Sequence, residues 1–341
     1  MNKKTGYGTF LCIGAAALFG AVPTFLRTLL LSGVSQAACV IIPCIESIAI
    51  CVLLCLHRHM RLFPGVKRTA QFILCGALGL GATPLLLTGA YRLIPTGAAI
   101  VIHFLYPTLV AVVCLIQSRH WPSPSLLCAA FLSVAGIAFT SLESGFFSSN
   151  SPVGCLCAFA SAFSYCAFII GSERLQDGST STLTALVYIN IGGLLAGLLW
   201  STTGNGISLP WSSSLWSISL GHGIVELIGY YLLNRGIRYA GAVTASFATL
   251  IEPLTAIALG ALLFDEPVTI QTSAGAIMVL SAVWLSVTSP VRAVSKVIFW
   301  MIVMNKQAGK RQGITESLSD GFNTKFSPSV MRRRARPLSY R

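Results

Sequence analysis

Three glutamates lie inside long apolar stretches of this sequence, which is an unusual place for a carboxylate. They are Glu46, Glu226 and Glu252. An acid at the centre of a bilayer costs at least about 2.5 kcal/mol on insertion scales, so it normally faces the protein interior or a water-filled path. Each glutamate is therefore a candidate for binding a positively charged group. The alternative for each is a neutral, hydrogen-bonded acid of the core.

Aromatic and polar residues in the same stretches are weaker candidates for a binding site. His222 and Tyr230 share a helical face with Glu226, because each lies four residues away from it. A buried His or Tyr often only satisfies a backbone group, so these side chains are open to both interpretations. The weaker candidates are His103, Tyr106, Tyr165, Tyr230, Asn190 and Phe19.

The composition requires that the elements carrying these residues lie in a membrane. The chain has 341 residues, of which 54% are apolar and only 10% are charged, and its mean hydropathy is +0.76. A soluble domain has about a quarter charged residues, and apolar runs of about 20 residues span a bilayer. The sequence predicts an all-α polytopic membrane protein with ten transmembrane helices. They are expected near residues 8–30, 36–56, 70–91, 97–118, 125–142, 153–172, 182–200, 215–234, 242–264 and 270–288.

The net charge of +13 could suggest a nucleic acid partner, but the placement of the basic residues favours a membrane orientation. With the N-terminus in the cytoplasm, every Lys and Arg except Arg27 and Arg92 falls in a cytoplasmic loop or tail. Cytoplasmic loops of membrane proteins carry an excess of Lys and Arg. Both termini are therefore expected in the cytoplasm.

The chain repeats its own plan after 146 residues. At this offset Arg92 matches Arg238, and Pro107 matches Pro253. Each half contains five predicted helices, and an odd number inserts the second half upside down relative to the first. Inverted repeats are typical of secondary transporters, whose sites lie near the bilayer midplane. The predicted parts are a first repeat (1–143), an outer linker (144–152), a second repeat (153–288) and a cytoplasmic tail (289–341).

Pro107 and Pro253 are predicted to break their helices near the bilayer centre. A proline inside a helix lacks the N–H group and clashes with the carbonyl four residues back, which would free the carbonyls of His103 and Thr249. Freed carbonyls in lipid must be satisfied by protein, water or ligand. A simple packing kink is the alternative.

Enzymatic motifs are absent from the sequence. It contains no HExxH, Walker, GxSxG or dinucleotide-binding motif. Most of the eleven cysteines lie in apolar spans without metal-ligand spacing, where cysteine behaves as a small hydrophobe. We therefore expect no enzymatic activity, no cofactor and no metal site. Uphill transport would depend on an ion gradient or a substrate gradient.

The C-terminal segment differs from the rest of the chain. Residues 291–304 are apolar but too short to span a bilayer, so they predict an interfacial helix. Residues 305–341 are strongly basic and rich in Ser, Gly and Gln, which predicts a disordered tail. Each basic residue near anionic lipid contributes about 1 kcal/mol. Anionic lipid is thus the expected partner of the tail, and nucleic acid is not expected.

Two paired motifs resemble the EamA repeats of the drug/metabolite transporter superfamily, of the ten-helix exporter type. The resemblance covers roughly residues 8–288, and it departs from the family pattern at His103 and at Arg119-His120. It implies ten helices in two inverted repeats, alternating access around a central cavity, and a multi-pass location in the bacterial inner membrane. The motifs are Arg92…Thr96-Gly97-Ala98-Ala99…Tyr106-Pro107 and Arg238-Tyr239-Ala240-Gly241…Ala245…Glu252-Pro253…Phe264-Asp265-Glu266-Pro267.

The family's substrates include amino acids, drugs, sugars and nucleotide-linked metabolites. The sequence is also similar to a branch that takes up S-adenosylmethionine and returns S-adenosylhomocysteine. Carboxylates could bind the ammonium and sulfonium groups of S-adenosylmethionine, and aromatic side chains could stack on its adenine ring. Cation–π attraction would add about 0.5–2 kcal/mol to the binding free energy. Export of amino acids or drugs is the alternative within the family, and a non-transporting receptor or scaffold is the alternative outside it. The stacking candidates are Phe19, Tyr106, Tyr165 and Tyr230.

Overall fold

The computed structural model describes residues 3–94, 96–118, 123–141, 151–176, 178–264 and 268–288, and the regular elements in these ranges are helical. Most of the predicted linker and the whole predicted tail lie outside the described residues. Two π-helical segments, Ala77–Ala82 and Ser201–Asn205, extend neighbouring α-helices. The α-helices are α1 (Lys3–Phe19), α2 (Val22–Leu31), α3 (Gln36–His57), α4 (Val66–Gly76), α5 (Thr83–Ala90), α6 (Thr96–His103), α7 (Tyr106–Ser118), α8 (Pro124–Ser141), α9 (Pro152–Leu175), α10 (Thr182–Trp200), α11 (Ser213–Ala240), α12 (Ala242–Ala248), α13 (Ile251–Phe264) and α14 (Ile270–Thr288).

Seven helical stretches among the described residues are long and apolar enough to cross a membrane. They correspond to the predicted first, second, third, fourth, sixth, seventh and ninth spans. The predicted fifth and tenth spans contain shorter apolar helices, Pro124–Phe139 and Ile270–Ser286. The predicted eighth span lies in α11, which has 28 residues and carries His222, Glu226 and two arginines. The chain is therefore a multi-pass membrane protein.

Corresponding helices of the two halves pack against each other. The second helices of the two halves, α3 and α10, run antiparallel. Cys44 of α3 contacts Gly193 of α10, whereas Cys55, further along α3, lies 3.8 Å from the hydroxyl of Thr184, which is earlier in α10. The last helices of the halves, α8 and α14, also form a close pair, and Gly136 of α8 lies against the backbone of Gly275. The interface thus pairs these two helices of each half with their own counterparts.

A second set of contacts repeats at the 146-residue offset. A Cβ atom on Gly8 would lie 2.7 Å from Cβ of Tyr239, and one on Gly154 would lie 2.9 Å from Cβ of Leu93. Gly154 is the counterpart of Gly8, and Tyr239 is the counterpart of Leu93. The first helix of each half therefore starts against the same turn of the opposite half.

The glycine-rich run at residues 76–81 is a packing face. A Cβ atom on Gly76 would collide with the Ile189 carbonyl of α10, and one on Gly79 would collide with the Phe168 ring of α9. Small residues let helix backbones approach this closely in lipid. All eleven cysteines are free, and most are buried. Packing roles are therefore observed both for this run and for the buried cysteines.

Hydrogen bonds near helix ends and loops define two ends of the bundle. At one end, the Arg68 guanidinium donates to the Leu175 carbonyl at 2.9 Å, and the Thr184 hydroxyl donates to the Arg61 carbonyl at 3.0 Å. We call this end the basic face. At the other end, the Ser35 amide donates to the Ser208 carbonyl at 3.0 Å. We call that end the Ser35 face.

Candidate functional site

Two helices are interrupted at corresponding places in the two halves. In the first half, α6 ends at His103 and α7 begins at Tyr106. In the second half, α12 ends at Ala248 and α13 begins at Ile251. Each interruption is a two-residue turn, which we call the first break and the second break.

The prolines lie just after the breaks rather than inside continuous helices. Pro107 is the second residue of α7, and Pro253 is the third residue of α13. In the first turn of a helix the missing N–H needs no partner, so proline is well tolerated there. The Thr249 carbonyl, which Pro253 was expected to free from its helical bond, accepts the Glu252 amide at 3.0 Å and is thus satisfied by the protein. The turn itself satisfies the group.

The two breaks are joined directly by a hydrogen bond. Thr249 Oγ1 donates to the Ser246 carbonyl at 2.8 Å, so it accepts from the Tyr106 hydroxyl, which lies 2.6 Å away. Tyr106 is fully buried. The first residue of α7 thus holds the turn before α13, and the halves meet at their breaks.

His103, the last residue of α6, is bound to α9. Ser161 Oγ donates to the Ala158 carbonyl at 2.6 Å and lies 3.0 Å from Nδ1 of His103. Because the Ser161 hydroxyl already donates to the Ala158 carbonyl, it accepts in its bond with His103, and Nδ1 of His103 is the donor. Both polar side chains of the first break therefore have partners within the protein.

Five of the predicted aromatic and histidine side chains meet in one cluster, together with Phe168. The nearest ring pairs are Tyr106–Tyr165 at 4.7 Å and Phe19–Tyr230 at 4.8 Å between centroids. Phe168 links these pairs, at 5.7 Å from Tyr165 and 5.9 Å from Tyr230. The rings form a continuous wall between α1, α7, α9 and α11. We call this set the aromatic cluster: Phe19, His103, Tyr106, Tyr165, Phe168 and Tyr230.

Glu252 lies in the first turn of α13, where the positive end of the helix dipole stabilises a carboxylate. Its carboxylate interacts electrostatically with the hydroxyl groups of Tyr106, Tyr165 and Tyr230. No hydrogen bond from another described residue reaches this carboxylate. Its backbone is contacted by the turn that follows α1, where a Cβ atom on Gly20 would lie 2.6 Å from the Glu252 carbonyl. The second break therefore presents an acid next to the aromatic cluster.

The other two acids meet across α3 and α11. Oε2 of Glu46 is buried against Gly223, where a Cβ atom would collide with it, and no described residue forms a hydrogen bond with this oxygen. His222 is only 1% exposed, and its Nε2 lies 3.6 Å from Oε1 of Glu226. Neither ring nitrogen has a hydrogen-bond partner among the described residues. We call Glu46, His222 and Glu226 the acid–imidazole site.

A pocket extends from this site toward the Ser35 face. Its cavity volume is about 30 Å³. Oε1 of Gln36, at the start of α3, is another buried acceptor without a hydrogen bond from the described residues, as is the hydroxyl of Ser219 on α11. The lining residues are Leu26, Leu30, Gln36, Cys39, Val40, Cys44, Leu80, Pro84, Leu85, Thr88, His222 and Glu226.

Asn190 lies apart from the other candidates. Its side-chain amide donates to the Leu186 carbonyl at 2.9 Å, one turn back along α10. It belongs neither to the aromatic cluster nor to the pocket lining. The residues that sequence reasoning did not select are His222, Gln36 and Ser219. His222 could have been selected, because it lies one helical turn before Glu226.

A model of the EamA-like transporter family matches this chain twice, at residues 6–142 and 152–288. The two matches start 146 residues apart, which is the offset of the internal repeat. They cover most of the chain, so the protein belongs to the EamA-like transporter family. Membership in a transporter family indicates a carrier of small substrates rather than an enzyme.

Comparison with known proteins also finds distant relatives. The chain is 24% identical to a biotin transporter of Salmonella typhimurium over 224 residues, which is 64% of this chain and 74% of the relative. A biotin transporter of Salmonella typhi matches equally well. A solved crystal structure aligns with a TM-score of 0.69 at 15% identity, over 82% of this chain and 96% of its own. At that identity the likeness shows the fold alone.

Proposed function

We propose that this protein is a secondary transporter that moves a small metabolite by alternating access between two inverted five-helix repeats, with both termini in the cytoplasm. The antiparallel packing of α3 and α10 supports the inversion, because these helices correspond in the two halves. The contacts of Gly8 and Gly154 support it as well, since each starts a first helix against the opposite half. Inverted repeats place the substrate site where the halves meet.

The acid–imidazole site carries the proposal for the substrate's charge. Glu46 and Glu226 are carboxylates beside one pocket, and the only basic side chain that lines it among the described residues is His222. Buried acceptors without partners are costly in a folded protein, so a solute that donates hydrogen bonds would relieve this cost. A solute with a fixed positive charge and an ammonium group suits these acceptors best.

S-adenosylmethionine, taken up in exchange for S-adenosylhomocysteine, is our specific proposal. Its sulfonium and ammonium groups match the carboxylates, and the neighbouring aromatic cluster offers a wall for its adenine ring. Biotin, which the distant relatives carry according to their names, is the second candidate. Its carboxylate would be repelled by Glu46 and Glu226, which disfavours it here.

Uptake by the purified protein in liposomes tests this proposal. We expect labelled S-adenosylmethionine to enter liposomes loaded with S-adenosylhomocysteine, and unlabelled biotin to compete poorly. Glu226→Gln should reduce uptake, whereas Glu316→Gln, in the tail outside the repeats, should not. Uptake of biotin instead would replace the proposed substrate. No transport of any metabolite, combined with a partner bound to the tail, would favour the receptor or scaffold.

A further inference from the structure

His222 is a buried imidazole between two carboxylates. Glu226 approaches it at 3.6 Å from the same helix, and Glu46 interacts with it electrostatically from α3. The ring of Phe25 stacks at 6.1 Å between centroids and closes the side toward α2. Neither ring nitrogen has a hydrogen-bond partner among the described residues, although His222 lines the pocket. Its polar atoms are therefore free to bind a proton or a solute.

The charged surroundings of His222 are almost entirely acidic. The pocket is also lined by residues of α2, of the first π-helical segment and of α5. These are apolar side chains and one threonine, which do not titrate. Arg27, the charged residue of α2, is exposed and does not line the pocket. Of the titratable or charged groups on α2, α3 and α11, Glu226, Cys39 and Cys44 line the pocket with His222, and Glu46 interacts with His222 from α3. The others on these helices do not line the pocket: Arg27, Cys51, Cys55, His57, Tyr230, Tyr231, Arg235, Arg238 and Tyr239.

An imidazolium at position 222 and an organic cation in the pocket would compete. Two carboxylates in a low-dielectric site repel each other, and one positive charge between them removes much of this cost. The protonated imidazole can supply that charge, and so can a sulfonium group. Two cations in the same place would repel each other. We propose that the acid–imidazole site is an exchange site, which holds either a proton on His222 or the positive group of the solute.

This inference rests on the proposed function and specifies how the solute's charge is balanced. S-adenosylmethionine has a fixed sulfonium charge, which S-adenosylhomocysteine lacks. The first binds to the site with His222 neutral, and its entry releases the imidazole proton to water. The second binds with His222 protonated. One exchange cycle therefore moves one S-adenosylmethionine in one direction, and one S-adenosylhomocysteine plus one proton in the other, with no net charge transferred.

Calorimetric titration of the purified full-length protein tests the exchange site. Titrations in buffers of different ionisation enthalpy count the protons released per ligand bound. S-adenosylmethionine should release up to one proton per ligand bound. Its affinity should rise with pH by at most about tenfold per unit, as linkage to one proton requires. S-adenosylhomocysteine should release none.

His222→Gln keeps a polar side chain but cannot hold the charge. This variant should bind S-adenosylmethionine without proton release and without the rise in affinity with pH. His57→Gln, an exposed histidine at the end of α3 on the basic face, is the matched control and should behave as wild type. Binding by the wild type without proton release, or unchanged release in His222→Gln, would overturn the exchange site alone. Failure to bind either metabolite would overturn the proposed function and the exchange site with it.

A different observation carries a second inference, which concerns the two breaks. At the 146-residue offset Tyr106 corresponds to Glu252, and His103 corresponds to Thr249. The observed Tyr106–Thr249 bond therefore has a counterpart, His103 with Glu252. In this structure His103 instead binds Ser161 at 3.0 Å. The Glu252 carboxylate has no hydrogen bond from the other described residues.

We infer that these two pairs close in alternation. Inverted-repeat transporters work by moving one repeat against the other around a fixed site. When the halves exchange their arrangements, a contact of one half is replaced by the corresponding contact of the other. The Tyr106–Thr249 bond belongs to the state in which the pocket reaches the Ser35 face. The Nδ1–H of His103 leaves Ser161 and donates to Glu252 in the opposite state.

Labelling of Cys39, which lines the pocket, reports which state is populated. Thr249→Val removes the observed bond and should lower the rate at which a water-soluble maleimide reacts with Cys39. Tyr106→Phe should repeat this result. Glu252→Gln weakens the opposite pair and should raise the rate. Mass spectrometry identifies the labelled cysteine, and denatured protein gives the total. Unchanged rates, or changes in the same direction for Thr249→Val and Glu252→Gln, would contradict the alternation.

Discussion

The two breaks have the same position in their repeats but different chemistry. At the first break, the side chains of His103 and Tyr106 both have hydrogen-bond partners, Ser161 and Thr249. At the second break, the Glu252 carboxylate has none among the described residues. The repeat thus keeps the backbone plan, which depends on turns and prolines, while the side chains have diverged. The first break joins the halves, and the second break presents a charge.

The two breaks also differ in how closely a neighbouring segment packs against them. Gly20, in the turn after α1, lies directly on the first turn of α13, near Thr255 and the Glu252 carbonyl. At the corresponding place in α9 stands Cys166, a buried side chain. The second break is therefore held by the backbone of Gly20, whereas a buried side chain stands at the corresponding position of the other half. This close approach fixes the position of Glu252.

Gly20→Ala should have the largest effect on stability. The added Cβ atom would lie 2.5 Å from Cβ of Thr255 and 2.6 Å from the Glu252 carbonyl, which forces α1 away from α13. Overpacking of this kind costs about 1–3 kcal/mol, which a lower midpoint of thermal unfolding in detergent would reveal. Gly89→Ala is the control, because nothing lies within 4 Å of its added Cβ atom. Equal midpoints for the two variants would refute the close approach.

The next largest effect on stability is expected at the contacts that the first helix of each half makes with the opposite half, and it should differ between the two contacts. Gly8→Ala would bring its Cβ atom within 2.7 Å of the Ala240 backbone nitrogen, whereas Gly154→Ala would meet only the side chains of Leu93 and Ile94. Side chains move aside more easily than backbone, so Gly8→Ala should destabilise the protein more, within the same range of about 1–3 kcal/mol. Thermal unfolding of both variants measures the difference. A larger loss for Gly154→Ala would reverse the comparison.

Loss of the bond between the breaks should have a smaller effect. Tyr106→Phe and Thr249→Val each remove one partner of the 2.6 Å bond, and each should cost about 0.5–1.5 kcal/mol of unfolding free energy. Together they form a double-mutant cycle, whose coupling energy isolates the pair. Additive losses would mean that the contact contributes nothing to stability.

Ser161→Ala should have the smallest effect. It removes the acceptor for Nδ1 of His103, and the ring remains packed at 5.4 Å from Tyr106 and 5.9 Å from Tyr165. We expect about 1 kcal/mol or less from the lost bond, and little change in the rate of uptake. A loss of uptake as large as that of an acid variant would assign the first break a direct role in the substrate site.

Local patterns in the sequence predict much of the fold. The 146-residue offset places the halves, and the two prolines indicate where the helices break. The four-residue spacing of His222 and Glu226 places both on one face of α11, and they form a pair there. These features depend on residues close in sequence, or on comparison of one half with the other. Both can be read directly from the sequence.

Contacts between distant helices could not be predicted in the same way. The position of Glu46 against Gly223 depends on how α3 lies on α11, which no local pattern specifies. The aromatic cluster is another example, because Phe168 meets Tyr230 only through the packing of α9 against α11. Asn190 was selected for its polarity within an apolar span, yet its side-chain amide donates a hydrogen bond to a carbonyl of its own helix. Sequence identifies polar residues in lipid, but packing determines which of them meet.

A side-by-side comparison of Glu252→Gln and Tyr106→Phe tests most directly whether the carboxyl group at the second break contributes more to transport than the hydroxyl group at the first break. The two residues correspond in the repeats, and each substitution removes one functional group. Initial uptake of S-adenosylmethionine into liposomes, normalised to folded protein, is the measurement. We predict a loss of at least about tenfold for Glu252→Gln, equal to about 1.4 kcal/mol or more. For Tyr106→Phe we predict about threefold or less, since only a neutral hydrogen bond is lost. Equal losses, or full activity in Glu252→Gln, would contradict this account.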